Sequence, residues 1–516
     1  MDKVKKITNT VKNWIKQNPR EATILLLIIF VGTFLRFYKI DEYMTFLGDE
    51  GRDAIIVRRL LSEQDLILVG PGTSIGNMYL GPLYYYMMAI PLFLAGYSPV
   101  GPAIQIAILS VITLFIVWLV GRQWFGKTAA MIATFFYAIA PTVVRYSQSS
   151  WNPNIMPFFS FICIYGIWKI WQKSEWKWLI ITAISLAFTL QSHYLALLLI
   201  PLLGIFWLLT LLKIRKTKQI KCFMQYTAYA AIIFSILMSP LLAFDARHEW
   251  RNFSSMKKFF TERQTTISAK PWSGYSKLVP ITQKINTQLL AGHDGNIGKW
   301  LTVGMIAAIF WLITIRWKDI KKEERQKILL IGVWLAVSVI GFSIYKQEIY
   351  EHYYGLFFPA PFLLLGIIAS HISDKYKTVG KLVVVVALGY LAIINFNNSH
   401  LKNEPNKQMQ RSIEVSNKMI EEAGDKKFNL AVLAERNYEG AYQYFLEKEN
   451  APFFMIDPQR AEETIGDMLF VVCELPEEEC KPIDNPKTEI ANFGWSKIDE
   501  QWEVAGTILY KLVPAK

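Results

Sequence analysis

Long apolar runs recur along this chain with short basic stretches between them, and that alternation restricts it to one kind of fold. The runs are ~17–20 residues long, the length at which an α-helix crosses the hydrocarbon layer of a bilayer. In lipid a backbone must satisfy its own polar groups, so repeated runs of this kind are predicted to be helices. Of the 516 residues, 53% are hydrophobic, 14% aromatic and only 19% charged, which excludes an ordinary soluble enzyme. In such a chain the net charge of +13 reports loop topology and contact with membrane lipids, anionic ones included. No nucleic-acid-binding motif accompanies it. Cys163, Cys222, Cys473 and Cys480 have neither zinc nor haem spacing.

Charge sets the predicted topology. Lys3, Lys5, Lys6, Lys12, Lys16 and Arg20 precede the first run, 22–38, so the tail 1–21 is predicted to be cytoplasmic and the segment after the run exterior. With Arg36 near its far end and no small-residue cleavage site, this run is a retained anchor. The stretch 79–96 contains Leu80-Gly81-Pro82-Leu83-Tyr84-Tyr85-Tyr86 and Pro91, which suits an interfacial helix in an aromatic belt. Treating it as juxtamembrane places every later short basic loop inside: Arg122/Lys127, Lys173/Lys177, Lys213–Lys221, Arg316–Lys327 and Lys375–Lys381. The remaining spans are predicted at 103–121, 128–143, 155–171, 178–193, 194–212, 226–243, 299–316, 327–345, 353–371 and 382–396. The predicted fold is therefore an α-helical polytopic membrane protein with about 11 transmembrane helices in 22–396. Juxtamembrane helices occupy its first exterior loop, and the odd span count sends residues 397–516 outside.

This tail is predicted to be a small α/β domain. Phe428–Leu433, Pro452–Ile456, Met468–Val472 and Thr507–Val513 have short buried-strand patterns, and Tyr438–Glu447 suits a helix between two of them. The stretch 397–427 is a charged connector with room for one helix. Cys473 and Cys480 could close a small disulfide loop in an oxidising exterior or stay as two thiols.

Four polar groups fall on the predicted exterior side. Gly48-Asp49-Glu50-Gly51-Arg52-Asp53 follows the first span, and Arg145-Tyr146 through Asn152-Pro153-Asn154 joins the third and fourth. Gln191-Ser192-His193-Tyr194 forms a tight turn, while Arg247-His248 and Lys346 through Glu351-His352-Tyr353-Tyr354 complete the set. Polar residues at the ends of membrane helices are costly and invite a functional reading. A carboxylate there can take a proton from an attacking hydroxyl or amine. Cations there can hold a phosphate, and aromatic rings such as Tyr84, Trp151 and Tyr353 can stack on sugars or simply anchor the interface. Asp49 and Glu50 also suit a helix N-terminus, and Asn152 and Asn154 a turn or cap.

The order of these motifs resembles the GT-C superfamily of membrane glycosyltransferases. The resemblance is greatest to glycosyltransferase family 39, the protein-mannosyltransferase and aminoarabinose-transferase branch. It rests on Gly48-Asp49-Glu50, Leu80-Gly81-Pro82-Leu83-Tyr84-Tyr85, Ala140-Pro141…Arg145-Tyr146-Ser147, Gln191-Ser192-His193 and Tyr353…Pro359…Pro361, and covers roughly 20–395. It implies inverting transfer of one sugar from a polyprenyl-phosphate donor to a lipid, glycan or protein acceptor, on the non-cytoplasmic face of the cell membrane. Asp49 would be the general base, and Glu50 would support it or bind the acceptor. Arg145, Arg247, His248 or His352 would hold the donor phosphate. Arg52, Asp53, Tyr84, Asn152, Asn154, His193 and Tyr353 complete the expected substrate-binding set. Many relatives carry an acid where this chain has Asn152-Pro153-Asn154, so no metal site is expected, and a divalent ion (Mg or Mn) is not favoured as a cofactor. The competing reading is a lipid or polysaccharide transporter or flippase without transferase activity. Against it, the polar groups gather at one face and few acids lie near the span centres.

Overall fold

The computed structural model describes residues 2–73, 77–261, 267, 271–436 and 438–515. Among these, seven helices are long and apolar enough to cross a membrane. Two of them are double. Val100–Ile139 breaks at Gly126, whose φ of 85° only glycine adopts freely, and Pro359–Asn397 breaks at Lys377. Both breaks fall in basic loops that the charge pattern assigned between spans. Two further segments complete the bundle. Pro19–Phe37 carries three charges and Trp178–Ser192 has 15 residues. With the doubles divided, the apolar helical segments correspond one for one to the eleven predicted runs. Leu83–Leu94 has 12 residues, ~18 Å of helix, too short to cross ~30 Å of hydrocarbon.

Buried charges tie the first span to the long helix beside it. Arg36, fully buried, donates to Gly32 O (2.8 Å), Tyr137 O (3.1 Å), Ala138 O (3.0 Å) and Ser110 Oγ (2.8 Å). Tyr137 and Ala138 lie in the last helical turn before Ala140-Pro141, where carbonyls lack intrahelical partners and a cation is favourable. At the other end of the span, Glu21 accepts from Arg122 at 2.6 Å.

The loop after the first span folds into a short helix, Ile40–Tyr43, and two longer ones, Gly48–Ser62 and Leu83–Leu94; the longer two pack on each other, and Leu83–Leu94 packs on the long helix. Between them the chain reverses through a bridge pairing Gly72 with Tyr79. Asn252, at the start of the helix Arg251–Thr261, donates to Tyr79 O and accepts from Tyr79 N, which fastens the long loop to the first.

In the tail, β1 (Phe428–Leu433) pairs parallel with β2 (Met468–Cys473), and β4 (Thr507–Pro514) lies antiparallel between β2 and β3 (Ser496–Val504). Every residue of β1 and β2 is buried, as expected of strands covered on both faces. Pro452–Ile456 forms no strand; it contributes one bridge, Phe453 to Phe428. One strand, β3, escaped the sequence pattern, while the connector formed the helix it had room for. β3 is an exposed edge strand, Ser-Lys-Ile-Asp-Glu-Gln-Trp-Glu-Val, held by its hairpin partner. The helix Gln408–Ala423 occupies half of the presumed connector and buries Met409, Val415 and Met419. Cys473 and Cys480 form a disulfide.

Candidate active site

The acidic segment forms the first turns of the helix Gly48–Ser62. Glu50 reaches back to accept from Leu47 N at 3.1 Å, satisfying one N–H of the helix start. Three carboxylates then meet three different surroundings. Asp49 is about half exposed; its Oδ1 accepts from Arg52 Nη1 at 2.8 Å, and its Oδ2 has no hydrogen-bond partner among the described residues. Glu50 is buried, which pushes its carboxyl up to about 8. Asp53 is fully buried and pushed up to about 6 by burial, against the opposing pull of Arg52 and Tyr85. Its Oδ1 accepts from Arg52 Nε (3.0 Å), Arg52 Nη2 (2.7 Å) and Tyr85 OH (2.9 Å), while its Oδ2 is buried without a partner among the described residues. Arg52 thus bridges two of the acids.

Hydrogen bonds connect the segment leading into this helix, and the interfacial helix beside it, to the other polar loops. Thr45 N donates to Ser149 Oγ at 2.8 Å, and Tyr84 OH pairs with Ser150 Oγ at 2.7 Å. Gln191 Oε1 accepts from Leu83 N at 3.2 Å, so the last turn of Trp178–Ser192 supports the interfacial helix. Asn152 Nδ2 donates to Ser192 O at 2.6 Å and Asn154 Nδ2 to Ser149 O at 2.9 Å. These two amides hold the second loop's shape and join it to the third.

The third and fourth polar groups meet in an aromatic cluster. The His352 ring lies 4.5 Å from Trp151, 4.5 Å from Tyr353 and 5.8 Å from His193. His193 stacks on Tyr194 at 4.6 Å and uses Nδ1 to accept from Leu195 N. Burial holds His193 well below the usual histidine value and His352 down at about 4. Both rings are therefore neutral near pH 7. Tyr353 is buried, and Arg145 is exposed, its guanidinium making no hydrogen bond or ion pair to a described residue.

A cleft of about 410 Å³ opens beside Arg52 and Tyr85, with Tyr79, Phe244 and parts of the segment 65–72 in its wall. The His248 ring stacks on Phe244 at 4.0 Å, with Nδ1 2.7 Å from the Phe244 carbonyl oxygen. Arg247 and His248 are both exposed at the end of the helix Gln219–Arg247.

The residues present do not suit a metal ion. Arg52 already fills the space between Asp49 and Asp53, and the asparagines across the loop direct amide N–H groups to carbonyls. Among the described residues no group of three His, Cys, Asp or Glu side chains is placed to ligate one.

Sequence reasoning overlooked Tyr85, Ser149 and Ser150. Within Tyr84-Tyr85-Tyr86 nothing in the sequence tells which ring faces the acidic helix. Only the helical rotation of about 100° per residue separates them.

Residues 80–244 match the dolichyl-phosphate-mannose-protein mannosyltransferase family. No curated protein sequence matches the chain. In three dimensions the chain is similar to ArnT from Cupriavidus metallidurans bound to undecaprenyl phosphate. Identity is 12%, the match covers 96% of this chain and 98% of that one, and the TM-score is 0.61. Apo ArnT gives 0.59 at 12% identity, over 97% and 98% of the two chains. The oligosaccharyltransferase AglB from Archaeoglobus fulgidus, in complex with an inhibitory peptide and a dolichol-phosphate, is similar at 13% identity and a TM-score of 0.53. That match covers 89% of this chain and 70% of that one. The likeness to ArnT takes in the tail, which the sequence resemblance does not reach. The chain is a multi-span membrane protein with the GT-C glycosyltransferase fold, resembling glycosyltransferase family 39.

Proposed function

We propose that this protein transfers a single sugar from a polyprenyl-phosphate donor to an acceptor hydroxyl or amine at the membrane–water interface. The observation that carries the reading is the different surroundings of Asp49 and its acidic neighbours. Asp49 alone among the three acids presents an open oxygen to solvent, on a helix bonded to the interfacial helix through Asp53 and Tyr85. Glu50, raised to about 8, is mostly neutral near pH 7, and Asp53 is enclosed. One accessible carboxylate suits a single displacement. Asp49 takes the acceptor proton as the acceptor atom attacks the anomeric carbon, and the bond to the donor phosphate breaks on the opposite face, inverting the centre.

The leaving phosphate needs cations. His193 and His352 are neutral and serve as ring surfaces and hydrogen-bonding groups, so phosphate binding falls to Arg145, whose exposed guanidinium has no partner among the described residues, with Arg247 second. Arg52 orients Asp49. The amides of Asn152 and Asn154 and the Tyr84 hydroxyl act indirectly, by holding the loops on which Trp151 and His193 sit. The sugar-bearing lipid enters from the bilayer, with the N-terminus cytoplasmic and the site on the outer face.

The test uses purified protein, radiolabelled polyprenyl-phosphate sugars, and wild type beside Asp49→Asn. Loss of a general base is expected to lower transfer by ~10²–10⁴-fold. Equal turnover in the two proteins would remove Asp49 from this role. Movement of labelled lipid between liposome leaflets without product would point instead to a flippase.

A further inference from the structure

The tail's helix Glu439–Lys448 lies alongside the acidic helix, and the two touch backbone to backbone where Gly51 meets Gly440. A Cβ on Gly51 would lie 2.1 Å from the Gly440 carbonyl carbon and 2.4 Å from Ala441 N. A Cβ on Gly440 would lie 2.4 Å from Gly48 O and 2.9 Å from Arg52 N. Real Cβ atoms do not approach backbone so closely, so a larger residue at either position drives the helices apart. Gly51 sits between Asp49-Glu50 and Arg52-Asp53. Any such displacement therefore acts on the carboxylates themselves.

Other contacts fix the rest of the pairing. Arg59 donates to both oxygens of Glu447, at 2.6 and 3.3 Å. Phe46 packs against Tyr444 and Phe445, with ring centroids 5.9 and 5.6 Å away, and Tyr444 OH donates to Tyr97 O at 2.6 Å. Gly51 to Arg59 is ~12 Å of helix and Gly440 to Glu447 ~10.5 Å. Two fixed points on each helix set both its translation along the partner and its rotation.

We infer that the tail positions Asp49, with Gly51 and Gly440 as positioning residues for the transfer reaction. The inference rests on the reading of Asp49 as base, and it gives the tail a defined role, which is to hold the carboxylate at its working distance. A misplacement of ~1 Å costs on the order of 100-fold in rate. The donor is held by other elements, so its KM is expected to change little.

The experiment measures kcat, donor KM and hydrogen exchange of peptides spanning 48–62 in the full-length protein. Gly440→Ala and Gly440→Val are compared with wild type, with Asp49→Asn, and with Trp495→Ala as a control on an exposed tail residue. The Gly440 variants are expected to exchange faster over 48–62 and to lose ~10–100-fold in kcat, with donor KM within about threefold; Trp495→Ala matches wild type. Wild-type kcat in a folded Gly440 variant overturns the inference, as does unchanged exchange over 48–62. So does a loss carried by KM instead of kcat. Should the Gly440 variants fail to fold, Glu447→Gln loosens the far end of the pairing without adding bulk. Its expected cost is about 2–5-fold in kcat, in keeping with an exposed ion pair, and it is recovered in the exchanged pair Arg59→Glu with Glu447→Arg. A Glu447→Gln protein with unchanged kcat and exchange counts against the inference. Activity retained in Asp49→Asn would refute the base assignment alone, because the exchange measurement does not depend on it.

Discussion

Tyr85 donates its hydroxyl to Asp53 Oδ1 at 2.9 Å, and this bond joins the interfacial helix to the acidic helix at its most enclosed point. The same oxygen receives two guanidinium nitrogens of Arg52, whose third reaches Asp49. The orientation of the exposed carboxylate thus depends on a buried one. Asp53→Asn removes the charge that anchors Arg52. It is expected to cost about 1–3 kcal/mol of stability and to lower kcat by more than tenfold, since Arg52 is then free to turn away from Asp49. Tyr85→Phe removes one bond of three, with an expected cost of about 1 kcal/mol. Thermal unfolding in detergent beside transfer assays checks both. An Asp53→Asn protein with wild-type stability and rate would show that Arg52 needs no such anchor.

Burial raises Glu50 to about 8 and Asp53 to about 6, both above the ordinary carboxylate range. A carboxyl raised in this way binds its proton more tightly folded than unfolded. Its contribution to stability is therefore complete in acid and is lost as pH climbs from its unfolded value through its folded one. Wild type is expected to lose stability between about pH 5 and pH 8, and Glu50→Gln, which cannot ionise but still accepts from Leu47 N, to flatten that decline. Activity should carry an alkaline limb near pH 8, because ionised Glu50 places a second negative charge beside Asp49 and repels an incoming phosphate. The limb should be missing in Glu50→Gln. A limb that persists unchanged assigns it to another group.

Much of this architecture was legible in the sequence because bilayer physics leaves few choices. Residues 122–127 and 375–381 could be assigned to loops from Arg and Lys alone, and the helices break there at Gly126 and Lys377. Leu83–Leu94 was separable from the spans by its proline and tyrosine content. The convergence of the polar loops could be expected from topology, since turns on one side of a bundle share one surface. Its detailed wiring could not. That Asn152 would seek Ser192 O, or that buried His193 and half-buried His352 would meet and both be neutral, depends on packing between segments far apart in sequence. β3 stayed hidden because an exposed edge strand needs no apolar alternation. Gly51 and Gly440 gave no local hint of their contact, 389 residues apart in the chain.

The donor set around Asp49 predicts the response to chelation. Arg52 lies between the two acids that a cation would have to bridge, and the second loop offers amides engaged with backbone carbonyls. EDTA is expected to leave most of the transfer activity intact at neutral pH. Measuring turnover after chelation, and again with added magnesium or manganese, decides the matter. A sharp loss restored by either ion would mean that Arg52 moves aside in the working enzyme.

The tail's disulfide should matter beyond its own loop. Cys473 and Cys480 enclose Glu474, whose carboxylate accepts from Tyr442 OH at 2.7 Å and from Arg411 Nη1 at 2.9 Å. Tyr442 lies two residues beyond Gly440 on the helix that meets the acidic helix, and Arg411 lies on the helix Gln408–Ala423 packed beside it. The bridge therefore holds the residue to which both tail helices are hydrogen-bonded. By chain entropy a loop this short contributes ~2–3 kcal/mol. Replacing both cysteines with serine is expected to lower the unfolding temperature of the tail while leaving the transmembrane helices unaffected. Amide exchange should rise first over 439–448, and only then over 48–62 as the Gly51–Gly440 contact loosens. Exchange mass spectrometry of the oxidised protein beside the double variant provides the measurement. Equal protection of 439–448 in both would mean that the two hydrogen bonds to Glu474 hold the tail helices without the covalent link.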